Sequence, residues 1–153
     1  MSVLLDTNIL LRVSNTLHPM HIAAREAVTI LEAHGTEMAI VPQVIYEYWV
    51  VATRPVSPSN GLGLTCVQAE QDVDSWCELF RLYLDERGIF RNWSSLVRAY
   101  SISGKPAHDA RLVAAMQRHN ILGVLTFNLA DFARFPFIHA LSPDDVRNGA
   151  KFP

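Results

Sequence analysis

Short uninterrupted apolar runs alternate with longer stretches of helical periodicity along the whole chain, and this constrains the fold most. Val3-Leu4-Leu5 stops at Asp6-Thr7-Asn8, Met38–Val41 at Pro42, and Leu122–Leu125 at Thr126; Ile138–Leu141, interrupted by His139, is expected as the last strand. Apolar runs this short suit strands buried on both faces, the condition of a parallel sheet. Between them the pattern predicts a short helix over Ile9–Val13 and a longer one from Pro19 to His34, closed by Gly35. Pro42 takes the favoured first-turn position of a helix running to Arg54. Thr65 caps a long helix reaching Arg87, with Val73, Trp76, Cys77, Phe80 and Leu84 on one stripe. Further helices are expected over Asn92–Tyr100, Pro106–His119 and Leu129–Phe135. Gly88-Ile89-Phe90 is the candidate third strand, and Pro55–Gly63 is the one clear loop. Strands alternating with helices indicate an α/β architecture, a parallel sheet with helices on both faces.

At 153 residues the chain fits one domain, residues 1–153, with a core of useful size. Half its residues are hydrophobic and 18% are charged, too apolar a mixture for a disordered chain. A net charge of −2 argues against bulk electrostatic coating of nucleic acid, although a site made of carboxylates subtracts from any basic rim around it. Cys66 and Cys77 share one helix-like stretch, about three turns apart, beyond disulfide reach, and are expected as small buried hydrophobes. No cysteine or histidine spacing suits zinc. No run approaches the length of a membrane span and no basic leader precedes the first strand, so a cytoplasmic protein is expected.

Ligand sites in parallel sheets lie beyond the carboxyl ends of the strands. Asp6 directly follows the first strand. Asn128 and Asp131 follow Leu122–Leu125. The helix from Pro106 leads into that strand and runs antiparallel to it, so Asp109, near its start, faces the same edge. Glu47 lies in the second turn of the helix that starts where the second strand ends. Two of these acids break the apolar pattern: Asp109 shares its helical face with Leu112, Val113 and Met116, and Glu47 shares its face with Val44, Val50 and Val51. An isolated ionised carboxylate pointing inward is costly, and like charges ~4 Å apart repel by about 4 kcal/mol at an effective dielectric near 20. A divalent cation would offset both, and oxygen-only ligands suit a hard one, Mg²⁺ or Mn²⁺. Each acid also has a structural reading: a cap at Asp6, a helix-dipole partner at Asp109, a capping box over Asn128–Asp131, an arginine pair at Glu47.

These residues carry a family resemblance. Val3-Leu4-Leu5-Asp6-Thr7-Asn8-Ile9-Leu10-Leu11 resembles the opening motif of PIN domains, above all the VapC-type toxins of bacterial toxin–antitoxin pairs. Val41-Pro42-Gln43-Val44-Ile45-Tyr46-Glu47 resembles their second motif, Lys105-Pro106-Ala107-His108-Asp109-Ala110-Arg111-Leu112-Val113-Ala114 the third, and Leu125-Thr126-Phe127-Asn128-Leu129-Ala130-Asp131-Phe132 the fourth. The resemblance implies a three-layer α/β/α sandwich around a roughly five-stranded parallel sheet. It assigns Asp6, Glu47 and Asp109 as the principal metal-site acids and Asp131 as the fourth, with Asn128 and Thr126 in support; Asn8, in the first motif, is expected to assist. It further implies endonucleolytic RNA cleavage with Mg²⁺ or Mn²⁺, homodimerisation, and inhibition by a VapB-like antitoxin.

The expected reaction is metal-assisted phosphodiester hydrolysis leaving a 5′-phosphate and a 3′-hydroxyl. Arg12, Arg54, Lys105 and Arg111 are candidate contacts to the RNA backbone, with Arg134 also near the fourth motif. Trp49, Trp76 and Trp93 could stack on bases, but core or dimer packing is the expected role. The apolar stripe around Trp76 is expected to exceed what one small domain covers and so to form a symmetric dimer. The alternatives are a catalytically inactive PIN-like scaffold, a metal-dependent DNA nuclease, or a phosphatase. Asp6-Thr7-Asn8 lacks the second acid that haloacid-dehalogenase-like phosphatases place two residues on, and none of the four acids is missing, unlike in a dead scaffold.

Overall fold

The computed structural model describes residues 2–153. Five parallel strands form one sheet: β1 (Ser2–Leu5), β2 (Glu37–Ile40), β3 (Arg81–Leu82), β4 (Gly123–Leu125) and β5 (His139–Leu141), in the order β3-β2-β1-β4-β5. Among the described residues eight helices flank it: α1 (Thr7–Ser14), α2 (His21–Ala33), α3 (Pro42–Thr53), α4 (Cys66–Leu79), α5 (Gly88–Ala99), α6 (Pro106–Arg118), α7 (Leu129–Phe132) and α8 (Pro143–Arg147). α1 packs on α2 and α3, α2 on α8, and α3 on α4, while α5 and α6 form the most extensive helix pair. No described helix is long and apolar enough to cross a membrane.

The first strand lies in the centre of the sheet, which explains why Val3, Leu4 and Leu5 are all fully buried. Register positions the functional edge. Leu5 pairs with Leu125, and Leu125 with Leu141, so Asp6 and Thr126 leave neighbouring strands at the same level. The pairing continues one step beyond the strands, with Asp6 N–H donating to the Leu125 carbonyl at 3.1 Å and Thr126 N–H to that of Leu141 at 3.0 Å. The inward side of α6 carries Leu112, Val113 and Met116, all buried as their spacing requires.

Several expectations need correction. The helix capped by Thr65 ends at Leu79, not Arg87, and the third strand is Arg81–Leu82, with residues 88–90 opening α5. No breaker marks residue 80; the open edge of β2 supplies the signal, since β3 pairs with β2 and the Tyr83 N–H donates to the Ile40 carbonyl at 2.9 Å. The inward stripe of α4 is therefore buried Ala69 and Trp76 with half-buried Val73, Phe80 lies just beyond it, and Leu84 lies exposed outside the helix. Both cysteines are exposed: Cys66 is the first residue after the Thr65 cap, and Cys77 sits about 100° around the helix from Trp76. Of the stripe expected to be in surplus, Trp76 is covered within the chain, meeting Tyr48 edge to face at 4.4 Å, and Val73 and Phe80 are half-buried. Val50, expected beside Glu47 on the inner face of α3, is 60% exposed. The closing helix α8, with its Ser142–Asp145 capping box, was not among the expected elements.

Candidate functional site

Asp6 directly follows β1 and caps α1. Its Oδ1 accepts from the Thr7 backbone N–H at 2.7 Å, and its Oδ2 accepts from Thr126 Oγ1 at 2.6 Å and Asn8 Nδ2 at 2.9 Å. The capping role is thus real, yet two further donors converge on the same carboxylate. Thr126 is completely buried and accepts the Asn128 N–H at 3.0 Å, while Asn8 Oδ1 accepts the Phe127 N–H at 3.1 Å. The start of α1 and the loop after β4 are locked together around one acid. Asn128 makes no side-chain cap to α7, so the capping-box expectation there fails.

Glu47 projects from the second turn of α3 and is half-buried. Thr7 Oγ1 donates to its Oε2 at 2.7 Å and Gln43 Nε2 to its Oε1 at 2.9 Å. Both partners are neutral, and no ion pair among the described residues involves Asp6, Glu47, Asp109 or Asp131. The arginine-pair reading of Glu47 therefore fails. Gln43 does more than hold Glu47. Its Nε2 also donates to the His108 carbonyl at 2.9 Å, next to Asp109, and its Oε1 accepts from Arg111 Nη1 at 3.0 Å. One buried amide ties the helix bearing Glu47 to the helix bearing Asp109. Gln43 and Thr7 were missed as individual positions in the sequence; the available signal was the i, i+4 spacing of Gln43 and Glu47.

Asp6 and Asp109 feel the neighbouring acids. Burial raises the Asp6 pKa from 3.8 to about 6, against the bonds from Thr126 and Thr7, and the charges of Glu47 and Asp109 push it the same way. Asp109 is also held above the usual carboxylate range, first by burial and then by Asp131 and Glu47, with Lys105 and His108 opposing. Asp6 keeps some exposed surface although its carboxyl group lies deep, because Thr126 and Asn8 cover it. Among the described residues no three acidic, histidine or cysteine side chains are already closed into a metal-holding cluster. The site is an assembly of acids at electrostatic range of one another.

The basic candidates scatter. Lys105 is exposed and close enough to Asp109 to lower its pKa. The Arg111 guanidinium is engaged by Gln43 and by Asp85, at 3.0 Å each. Arg54 caps the end of α3 farthest from the rim, its stem against Gly61. Arg12 lies in the last turn of α1 with a buried Nε that has no partner, and Arg134 is exposed after α7.

The family model for the PIN domain matches residues 3–138, from the first strand to the segment entering the last. The chain belongs to the PIN-domain family. Solved structures of similar fold include VapBC2 of Rickettsia felis bound to a promoter DNA fragment, 16% identical with a TM-score of 0.68 over 93% of this chain and 98% of that one. A toxin–antitoxin complex from Klebsiella pneumoniae is 25% identical, TM-score 0.63, covering 92% of this PIN domain's chain and 97% of its own. VapC20 of Mycobacterium tuberculosis, described as a sarcin-ricin-loop-cleaving toxin, is 17% identical, TM-score 0.61, over 87% and 95%. No curated protein sequence matches the chain.

Proposed function

We propose that this PIN domain is a Mg²⁺- or Mn²⁺-dependent endoribonuclease, the toxin of a VapBC-type toxin–antitoxin pair. The observation that carries the reading is the set of four acids from four separate elements, mutually repelling and without an ion pair, at the carboxyl edge of a PIN sheet. Their oxygen-only chemistry fits a hard divalent cation. Asp6, Glu47 and Asp109 would hold it, with Asp131 completing the set from α7. Such a cation would lower the pKa of an attacking water and offset charge developing on the phosphate.

This chain's own residues do the positioning. Thr126, Asn8 and the Thr7 N–H orient the Asp6 oxygens; Thr7 Oγ1 and Gln43 orient those of Glu47; Gln43 sets the distance between α3 and the start of α6. Asn128, whose N–H holds Thr126, steadies the loop carrying Asp131. Lys105, beside Asp109 and exposed, is the basic candidate best placed to meet a backbone phosphate. The likeness to structures described as toxin–antitoxin complexes, and to a toxin described as cleaving the sarcin-ricin loop, supports an RNA substrate and a VapB-like antitoxin; homodimerisation follows from the same reading.

The test is cleavage of one RNA and of the DNA of the same sequence, with Mg²⁺, with Mn²⁺ and with chelator, by wild type and by Asp109→Asn. The expected result is RNA-only cleavage, lost in chelator and reduced at least ~100-fold in the variant, as for loss of an electrostatic catalytic group. Cleavage that survives chelator overturns the metal assignment, and cutting of DNA alone overturns the substrate.

A further inference from the structure

Beside the acidic rim lies a slot of about 390 Å³ whose walls include Asp85, Glu86, Arg87, Phe90, Trp93 and Arg111. Phe90 is 72% exposed, on a helix whose buried positions are Ile89 and Leu96, so folding does not require an aromatic ring there. Trp93 is fixed: its Nε1–H donates to the Ala107 carbonyl at 2.9 Å, and its ring centroid lies 6.0 Å from that of Phe90 with the planes tilted by 30°. The charged wall is sorted by pairing. Arg111 holds Asp85 at 3.0 Å and Arg118 holds Glu86, whereas Arg87 is in no ion pair among the described residues. Arg111 also donates to Gln43, which donates to Glu47, so the slot wall is two hydrogen bonds from the catalytic candidate.

Given the ribonuclease reading, on which this rests, we propose that the slot binds one base of a single-stranded RNA close to the scissile phosphate. The base stacks on Phe90 and Trp93, Arg87 meets the adjoining phosphate, and the carboxylate oxygens of Asp85 and Glu86 accept N–H groups from the base edge. Aromatic faces, a spare cation and acceptors in one slot match a nucleotide. They suit a second copy of the chain poorly: closing an interface there would strip water from two ion pairs and an unpaired arginine.

The experiment uses the full chain carrying Asp109→Asn, so that RNA survives in Mg²⁺, and a set of labelled single-stranded RNA hexamers, each with one abasic position. Phe90→Ala should weaken binding of the intact hexamer roughly 5- to 100-fold, the range for one stacked base, and Phe90→Trp should restore it. One abasic position should weaken the Phe90-containing protein equally, and Phe90→Ala should add no further loss with that hexamer. An abasic profile unchanged by Phe90→Ala, or hexamers that bind no form of the protein, overturns the proposal. So does a Phe90→Ala change confined to self-association or to capture of a protein partner, since the slot would then be a protein contact. Wild type that cuts RNA with a KM unaffected by Phe90→Ala removes the slot and spares the ribonuclease. Base-specific binding without cleavage of any RNA by wild type removes the ribonuclease and spares the slot.

Discussion

Asp6 serves as a helix cap and as a deeply placed acid of the rim, and the two roles pull its protonation in opposite directions. The cap and the Thr126 bond favour the carboxylate; burial and the neighbouring acids favour the neutral acid and prevail, setting the pKa near 6. Because the folded pKa exceeds the free value of 3.8, Asp6 contributes stability fully below about pH 3.8 and loses it as pH rises through about 6. In chelator, Asp6→Asn should therefore gain stability relative to wild type as pH rises from 4 to 7, by up to about 3 kcal/mol. Urea unfolding of both proteins across that range measures the difference, and a pH-independent gap would contradict it. Gln43 gives a second expectation at this scale. Gln43→Leu strands Glu47 Oε1, the His108 carbonyl and Arg111 Nη1, which should cost about 1–3 kcal/mol. If it positions Glu47 and Asp109 for a cation, Mn²⁺ affinity should also fall by roughly 10- to 100-fold, as for partners that orient metal ligands. A stability loss with unchanged Mn²⁺ titration would reduce it to a packing residue. The placement of Asp6, Glu47 and Asp109 was legible from the sequence because strand ends and helix starts set it. Gln43 was not, because a polar residue in the first turn of a helix reads as ordinary solvation until α6 is seen against it.

At the scale of elements, the central strands were legible and the edge was not. β1, β2 and β4 each declare themselves as an apolar run, because strands covered on both faces have no other composition open to them, whereas β5, at the other edge, shows only through Ile138, Ala140 and Leu141 around an exposed His139. β3 has only Arg81 and Leu82, the first of them exposed, and its conformation comes from the free edge of β2 rather than from its own residues. Local propensity carried the expected helix straight through it. α4 then depends on tertiary anchorage, since it lies outside the sheet. Tyr48 and Ser14 both donate to Asp72 Oδ2, at 2.5 and 2.7 Å, joining α3 and α1 to α4, and Tyr48 stacks edge-on to Trp76. Tyr48→Phe keeps the ring contact and removes one bond to a charged acceptor, so it should lower stability by about 1.5–3 kcal/mol. Hydrogen exchange should show the loss concentrated in α4, with β1 protection falling only by the global change. Uniform loss across the sheet would mean that α4 is not docked through this contact.

For the whole molecule, the rim is a local conflict that the fold tolerates, and its energetics separate a metal site from a structural one. Four acids gathered at one rim, two of them held only by neutral donors, destabilise the metal-free chain, so replacing any one of three with its amide (Asp6→Asn, Glu47→Gln or Asp109→Asn) should leave the apo protein at least as stable as wild type. A structural acid predicts the reverse, because a broken cap or buried pair costs about 1–5 kcal/mol. Cation binding to the folded state alone stabilises it by mass action, about 2.7 kcal/mol when the free ion is 100 times its Kd. For a chain of this length that corresponds to a Tm increase of roughly 5–10 °C. Wild type should show it with Mg²⁺ or Mn²⁺, and each amide variant should show a smaller increase at the same ion concentration. The comparison is independent of any RNA, so it can succeed or fail without the substrate being known. Amide variants that melt below apo wild type and gain as much from Mn²⁺ as wild type does would identify the rim as scaffold, and with it the proposed hydrolysis would lose its metal.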